Sequence, residues 1–593
     1  MDALQLLREE MKKHGVDGLL IPRGDAFSGE EVPPSDDRLK YISGFTGSAG
    51  MAIVTQDQAA LFSDGRYTLQ MTAETNDDWS CHIMPDADMV AWLVSNLEGG
   101  ALGIDPWLMT LSGYESLQSK LADTAISLMP LDHNLIDAIW PDQPTPPQTK
   151  AWDFDLDVAG LTRQEKIAKV LSACQDSKTK GEKNPQNPFG HMVITAPDQL
   201  AWLANIRGAD LDHTPVILAF AILHHDSGIT IFADEARFAD CDHSGLTFLP
   251  KDQCLAHLAG LKAKTVMIDP STCPYAIARL LGDDAIKAES PITLMKARKN
   301  KAEQAAIRAV HRRDGAAMVE FLSWFDAATE NTESGLRETD IDAQLITIRG
   351  QDKGFISPSF STICGSGGNG AIVHYRAQDG QDSEILHDTL CLIDSGGQYH
   401  DGTTDITRTV AVGTPSQQMR HDFTIVLKAH IALDQAVFPA HTSGIQLDAI
   451  TRDPMWQAGM DFAHGTGHGV GCCLNVHEGP VSISKRSARP IEEGMLLSNE
   501  PGYYIENEYG IRIENLILAQ KSPSENGYLC FDAVTLVPMD RRLIDPQWLN
   551  DQELDWVNAY HQRVWDEIAP LLKGKGKDEA LAWLKTATAP IKR

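Results

Sequence analysis

The chain has little cysteine, too little positive charge to balance its acid, and no long apolar run. Its ten cysteines are scattered without a Cys-x-x-Cys pair, and Cys472 and Cys473, being adjacent, are poorly placed to bond each other. That usage argues against a disulfide framework and suits reduced thiols in a cytoplasm. Lys plus Arg number 51 against 82 Asp plus Glu, a formal net charge of -31. Such a surface repels phosphate backbones, so nucleic acid is not an expected partner. No stretch approaches the roughly 18 continuous apolar residues of a membrane span, so no membrane partner is expected either. The opening MDALQLLREEMKKHG reads as an amphipathic helix, with Leu4, Leu7 and Met11 on one face and Gly15 as its cap, and not as a signal peptide.

What is present is an ordinary globular composition, 42% hydrophobic and 22% charged, without low-complexity tracts. At 593 residues the chain exceeds the roughly 250 to 300 that one core can serve, so several domains are expected. Residues 18 to 23 (GLLIPR) read as a buried strand, and the apolar runs and turns that follow as a small sheet with hairpins. A similar rhythm returns over residues 191 to 238. Aligning Leu20 with Val193 and Arg66 with Arg237 suggests two copies of one α/β domain. The proline-rich stretch from 140 to 155 reads as a linker. From 296 to 329 the pattern is one long amphipathic helix, weakened only at Gly315, and residues 549 to 572 form another at the tail. The fold class expected is therefore α/β (α+β), with domains over 1–145, 155–295 and 296–593.

The suggestive chemistry lies between 355 and 520. In TLCLIDSGGQYHDGTTDITRTVAV two apolar strands flank a polar turn, bringing Asp394 and Asp405 side by side. Paired carboxylates repel unless one is protonated or a cation lies between them, although each Asp could also merely cap a turn. Glu500 follows an apolar run, and Glu514 shares one strand face with Arg512. A buried glutamate needs a cation or an ion pair. The stretch FAHGTGHGVGCCLNVHEGP adds His464, His468 and His477 among glycines that would allow close backbone approach. Asp394, Asp405, His468, Glu500 and Glu514 together carry four negative charges, which two divalent cations would neutralise. Oxygen-rich ligation without thiolate favours Mn2+ or a similar ion over structural zinc, and two such ions about 3.5 to 4 Å apart suit hydrolysis. The GSGGNG of 365–370 lacks the Gly-Lys-Ser/Thr end of a phosphate loop.

LIDSGGQYHDGTTDITRT, HGTGHGVGCCLNVHEGP, LLSNEPGYY and GIRIEN, in this order, resemble the catalytic domain of the aminopeptidase P (Xaa-Pro aminopeptidase) group, of pita-bread fold. KYISGFTGSAG, FSDGRYTLQ, LAWLANIRGADLDHTPV, FISPSFSTICGSGGNGAIVHY and TLVPMDRRLIDPQWL extend the resemblance to its long, three-domain form. The resemblance implies two divalent metal ions per chain, Mn2+ first, with Zn2+ or Co2+ as alternatives. Asp394 would chelate one ion, Asp405 and Glu514 would bridge both, and His468 and Glu500 would complete the other shell. Glu500 would also accept a proton from water. His374, His464 and His477 would position substrate and stabilise the tetrahedral intermediate, and Arg512 would orient the neighbouring bridging glutamate. Arg66 would contact the substrate's first residue, or else pair with a nearby Asp. The implied substrates are peptides with proline second, and the implied assembly is a homodimer. The rivals are a prolidase, restricted to Xaa-Pro dipeptides, and a non-catalytic binding protein of the same fold. His224, His225 and His400 read as solvent-exposed turn residues.

Overall fold

The computed structural model describes residues 2–84, 88–181, 189–330, 335–378, 380, 382–574 and 576–593. The chain divides into two compact units. One comprises Met1–Phe154, Leu161–Leu211 and Pro215–Thr293; the other comprises Asp155–Gly160, Asp212–Thr214 and Leu294–Arg593.

The first unit holds two six-stranded sheets. Strands β1 (Gly18–Pro22), β2 (Met51–Thr55), β3 (Ala59–Asp64), β4 (Ser80–Met84), β5 (Gly100–Ile104) and β6 (Ile126–Pro130) lie in the order β4-β3-β2-β1-β5-β6. Strands β7 (His191–Ile194), β8 (Phe220–His224), β9 (Ile229–Phe232), β10 (Leu246–Leu249), β11 (Val266–Ile268) and β12 (Ile286–Lys287) lie in the order β10-β9-β8-β7-β11-β12. The two orders are the same, and so are the directions: β1 runs antiparallel to β2 and parallel to β5, as β7 does to β8 and β11. Leu20 pairs with Ile53 and Val193 with Ile222, so the two residues aligned from sequence occupy equivalent places. Strand alternation covers both faces of the first sheet. Leu19, Ile21 and Val54 enter one apolar cluster, and Leu20, Ile53 and Phe62 the other. The opening helix α1 (Ala3–Lys13) buries Leu4, Leu7 and Met11, and Gly15 follows it at φ +66. The expectation for His224 is corrected. Strand β8 runs through it, and it is half-buried, its Nδ1 2.8 Å from Nδ1 of His191.

In the second unit the single helix expected over 296–329 is broken. A short helix ends at Ala297, and α2 (Lys301–Thr329) begins afresh under a capping box in which Asn300 and Glu303 satisfy each other's backbone N–H groups. Gly315 lies inside α2 where a Cβ would stand 2.8 Å from the Leu536 carbonyl, so its absent side chain is a packing requirement. Strands β13 (Ile363–Ser366), β14 (Thr389–Ser395) and β15 (Ile406–Val412) form one antiparallel sheet. Strands β16 (Val437–Pro439), β17 (Leu496–Asn499), β18 (Asn515–Lys521) and β19 (Tyr528–Ala533) form a second, in the order β16-β19-β18-β17. Helices α3 (Gln417–Asp434), α4 (Gly444–Gln457) and the tail helix α5 (Asp551–Leu572) accompany these sheets. The tail helix buries Val557, Val564, Ile568 and Leu572 in a core of its own chain.

Candidate metal centre

The hairpin of β14 and β15 sets the first two carboxylates. Asp394 pairs in register with Thr407, and Asp405 lies one residue before β15. Asp405, Thr407 and Thr409 alternate onto one face. Glu500 follows β17, its N–H held by the Thr466 carbonyl, and Glu514 precedes β18, its N–H held by the Thr407 carbonyl. His468 is brought against β17 because residue 467 is glycine. A Cβ there would stand 1.9 Å from the Ser498 carbonyl, and one at Gly469 would stand 2.3 Å from that of Glu478. Two glycines of the histidine stretch thus serve close backbone approach.

Ligand atoms of Asp405, His468 and Glu514 lie within 4.8 Å of one another. His468 Nε2 is 3.5 Å from Asp405 Oδ2 and 3.5 Å from Glu500 Oε1, while its Nδ1 lies 3.0 Å from the Gly469 carbonyl. Donation from Nδ1 to that carbonyl leaves Nε2 free to ligate. Three of the carboxylate oxygens are fixed by neutral donors or by one arginine. Thr407 Oγ1 donates to Glu514 Oε2 (2.8 Å), Ser498 Oγ to Glu500 Oε1 (3.0 Å), and Arg512 Nη2 to Asp394 Oδ2 (2.6 Å). Asp394 Oδ1, Asp405 Oδ1 and Glu514 Oε1 remain buried with no hydrogen-bond partner. Burial pushes the Asp394 carboxyl up to about 7 against the pull of Arg512, with Asp405 adding to the rise. Burial likewise raises Glu500, and raises Glu514 well above the usual carboxylate range. His468 is raised to about 9: burial opposes the charge, but the Asp405 and Glu500 carboxylates outweigh it. Three orphaned, buried carboxylate oxygens beside an imidazole nitrogen are a donor set that fits divalent cations.

Of the histidines expected near substrate, His477 packs its ring edge-on to His468 at 4.3 Å between centroids. His464 Nε2 lies 2.8 Å from the Tyr504 hydroxyl. His374 is half-buried, directly after Val373, whose carbonyl accepts from Arg512 at 3.5 Å. The role expected for Arg512 is corrected. Its guanidinium grips Asp394, Tyr504 (2.8 Å) and Thr407 (3.1 Å), and Thr407, not Arg512, fixes the Glu514 carboxylate. A two-residue offset gives a shared face, but the long guanidinium reaches across to the neighbouring strand. Arg66 makes a bidentate pair with Asp64, at 2.8 and 2.7 Å, which is the alternative partner expected for it. Its counterpart Arg237 instead meets Asp210. His400 is exposed.

Sequence reasoning missed Thr407, Ser498 and Tyr504, each two or four residues from a named carboxylate, a spacing that strand alternation makes meaningful. It also missed Glu338, a fully buried carboxylate that accepts from Ser366 N–H, Asn369 Nδ2, Ser383 N–H and the Tyr375 hydroxyl. That carboxylate organises the GSGGNG segment leading to His374.

Converging carboxylates with orphaned oxygens, histidines around them and a pita-bread arrangement of sheets define a metal-dependent peptidase. Residues 305–521 match metallopeptidase family M24, residues 527–591 the C-terminal region of that peptidase, and residues 4–139 and 142–303 the creatinase/prolidase N-terminal domain. A probable Xaa-Pro aminopeptidase P of Laccaria bicolor is 38% identical over all of this chain and 93% of its own. Aminopeptidase P2 of Arabidopsis thaliana is 38% identical over 97% and 86%. The crystal structure of an X-prolyl aminopeptidase from Caenorhabditis elegans, described as a cytosolic enzyme with a dinuclear active site, covers all of both chains at 32% identity and a TM-score of 0.93. The dipeptidase PepE of Mycobacterium ulcerans, at 25% identity and a TM-score of 0.51, covers 65% of this chain. The chain belongs to metallopeptidase family M24, within the aminopeptidase P group, and is a metalloaminopeptidase.

Proposed function

We propose that the chain hydrolyses the first peptide bond of peptides whose second residue is proline, with Asp394, Asp405, His468, Glu500 and Glu514 holding two divalent cations. The observation that carries this reading is the set of three buried carboxylate oxygens left without partners, while the second oxygens of Asp394 and Glu514 are fixed by Arg512 and Thr407. Mn2+ is the ion proposed, because the donors are mostly carboxylate oxygens with one imidazole and no thiolate; Zn2+ and Co2+ are the alternatives. When bound, such a pair lowers the pKa of water towards neutrality and polarises a carbonyl.

The side chains then divide the work. Glu500, its carboxyl raised by burial, takes a proton from the attacking water and returns one to the proline nitrogen. His477, beside His468, donates to the oxygen that becomes negative, and His374 and His464 position the peptide. Arg512 and Tyr504 link Asp394 to His464 through hydrogen bonds, so movement of one is felt by the other. Proline lacks an N–H and fixes its own φ, which gives a dedicated site a rigid, recognisable substrate. The three-domain division, a homodimer and a cytoplasmic setting are part of the same proposal. The dimer gains no support from α5, whose apolar face is buried in its own chain.

Asp405→Asn decides the reading. It is expected to retain the fold, lose bound metal and abolish cleavage of Arg-Pro-Pro; turnover in metal-replete Asp405→Asn protein would overturn it. Comparing that tripeptide with an Xaa-Pro dipeptide separates the aminopeptidase from a prolidase. The coverage of the whole chain by aminopeptidases, against 65% by the dipeptidase, favours the former.

A further inference from the structure

We propose a second kind of metal site, for a zinc-class cation, formed by Glu10 of α1, by His14 at the C-cap of that helix and by His133 after β6. Among the described residues, these three and the Asp405 group are the two places where ligand atoms of three such side chains converge within 4.8 Å. The donor set, two imidazoles and one carboxylate, is one that zinc takes readily. A tetrahedral ion with bonds of roughly 2.0 to 2.1 Å holds its ligand atoms about 3.3 to 3.4 Å apart. His14 Nε2 and Glu10 Oε1 stand 3.3 Å apart. The His14 and His133 rings meet edge-on with centroids 4.7 Å apart.

The arrangement is assembled by the fold before any ion arrives. Glu10 and His14 are four residues apart, hence on one face of α1, and His14 caps the helix C-terminus, where the helix dipole favours positive charge. His133 is delivered by the 131–136 segment, whose Leu131, Leu135 and Ile136 pack in the same core as Leu7 and Met11. The Glu10 carboxylate is already divided: Oε2 takes Lys13 Nζ at 2.8 Å, which orients Oε1 towards His14. His133 is exposed and the other two half-buried, so an ion has a path of entry and a fourth position open to water. A bound ion would cross-link the C-terminus of α1 to a segment 119 residues further along, and so stabilise the first sheet's helical cover.

The test uses the full chain. Wild type, His133→Ala and Glu10→Gln are equilibrated with micromolar Zn2+ and gel-filtered, and all metals are counted per chain beside far-UV circular dichroism, thermal unfolding and peptidase activity. Wild type is expected to hold one ion more than either variant, to show a zinc-dependent rise in unfolding temperature that both variants lack, and to share its activity with them. Equal metal content in the three folded proteins would overturn the proposal. Because the difference in ion count is independent of turnover, failure here and failure of the catalytic reading are distinguishable.

Discussion

Arg452 is the residue whose loss would test most directly how the His464 loop is held. Its side chain is fully buried on α4, with Nε 2.8 Å from Asp448 Oδ2, Nη1 2.6 Å from Asp461 Oδ1 and 2.7 Å from the Phe462 carbonyl, and Nη2 2.7 Å from the His464 carbonyl. The guanidinium also lies 3.7 Å over the Phe462 ring. Asp448, its ion-pair partner, accepts from Thr466, whose carbonyl in turn holds the Glu500 N–H. One rigid fork therefore fixes the loop between residues 461 and 466 at several points. Arg452→Met strands the Asp448 carboxylate, a loss of about 3 to 5 kcal/mol for a broken buried pair. At about 2 to 4 °C per kcal/mol for a unit of this size, the unfolding temperature should fall by roughly 6 to 20 °C. Arg452→Lys keeps the charge beside Asp448 but loses the fork, so the fold should survive while the loop loosens. A displacement of about 1 Å at a positioning group costs up to about a hundredfold in rate. Steady-state cleavage of Arg-Pro-Pro by Arg452→Lys should then show kcat reduced about ten- to a hundredfold at unchanged metal content. A kcat within twofold of wild type, with Arg452→Met as stable as wild type, would refute the reasoning.

In metal-free protein the Asp394 carboxyl is raised to about 7 from an ordinary value of 3.8 and His468 to about 9 from 6.5. Their stabilising contributions are complete below those ordinary values and are lost as pH rises through about 7 and about 9. Cations displace the same protons, so the gap in unfolding temperature between manganese-loaded and chelated protein should widen from pH 5 to 8; a gap that narrows would contradict the assignment. Tyr504→Phe removes the hydroxyl shared by His464 and Arg512 and should lower kcat about tenfold with metal content intact, checked by single-turnover kinetics. Gly315→Ala should destabilise by calorimetry although alanine is the better helix former by about 1 kcal/mol, because its Cβ would press on the Leu536 carbonyl at 2.8 Å.

The convergence of Asp405, His468 and Glu514 was legible because burying a carboxylate in an apolar strand is costly, and four such places in one stretch, Asp394 and Glu500 among them, demand a common explanation. The strand period did the same for the two N-terminal sheets, where the Leu20 and Val193 positions coincide. What was hidden depends on partners remote in sequence. The break before α2 lay inside KARKNKAEQ, where Asn300 looks like one polar residue among many until its side chain is seen accepting from Ala302 and Glu303. Local spacing pointed Arg512 at Glu514, whereas the fold points it at Asp394, 118 residues away. HHDSG reads as a turn, but β8 continues through His224 because His191 is opposite to pair with it. Repetition of a sheet does not carry side-chain partners either: Arg66 closes on Asp64 and Arg237 on Asp210.

The charge balance of the centre links its fold to its chemistry. Apart from Arg512, the hydrogen-bond donors that hold its carboxylates are the neutral hydroxyls of Thr407 and Ser498, so four carboxylates are in direct contact with one guanidinium and an imidazole. Protons can make up the deficit, and burial first, then the neighbouring carboxylates, favours them by raising the Asp394, Glu500 and Glu514 carboxyls. Two divalent cations make it up with one positive charge to spare, the sign that favours an ionised water or a carbonyl oxygen acquiring negative charge. Loading the site is therefore an exchange of protons for metal, and the surplus is created by the same burial that made the protons necessary. A second arginine donating to Asp405 would leave only two of the four negative charges uncancelled and would weaken the affinity for cations by like-charge repulsion. The hydroxyl of Thr407 fixes one oxygen of Glu514 without adding charge, and so leaves the other oxygen and the full negative charge to a cation.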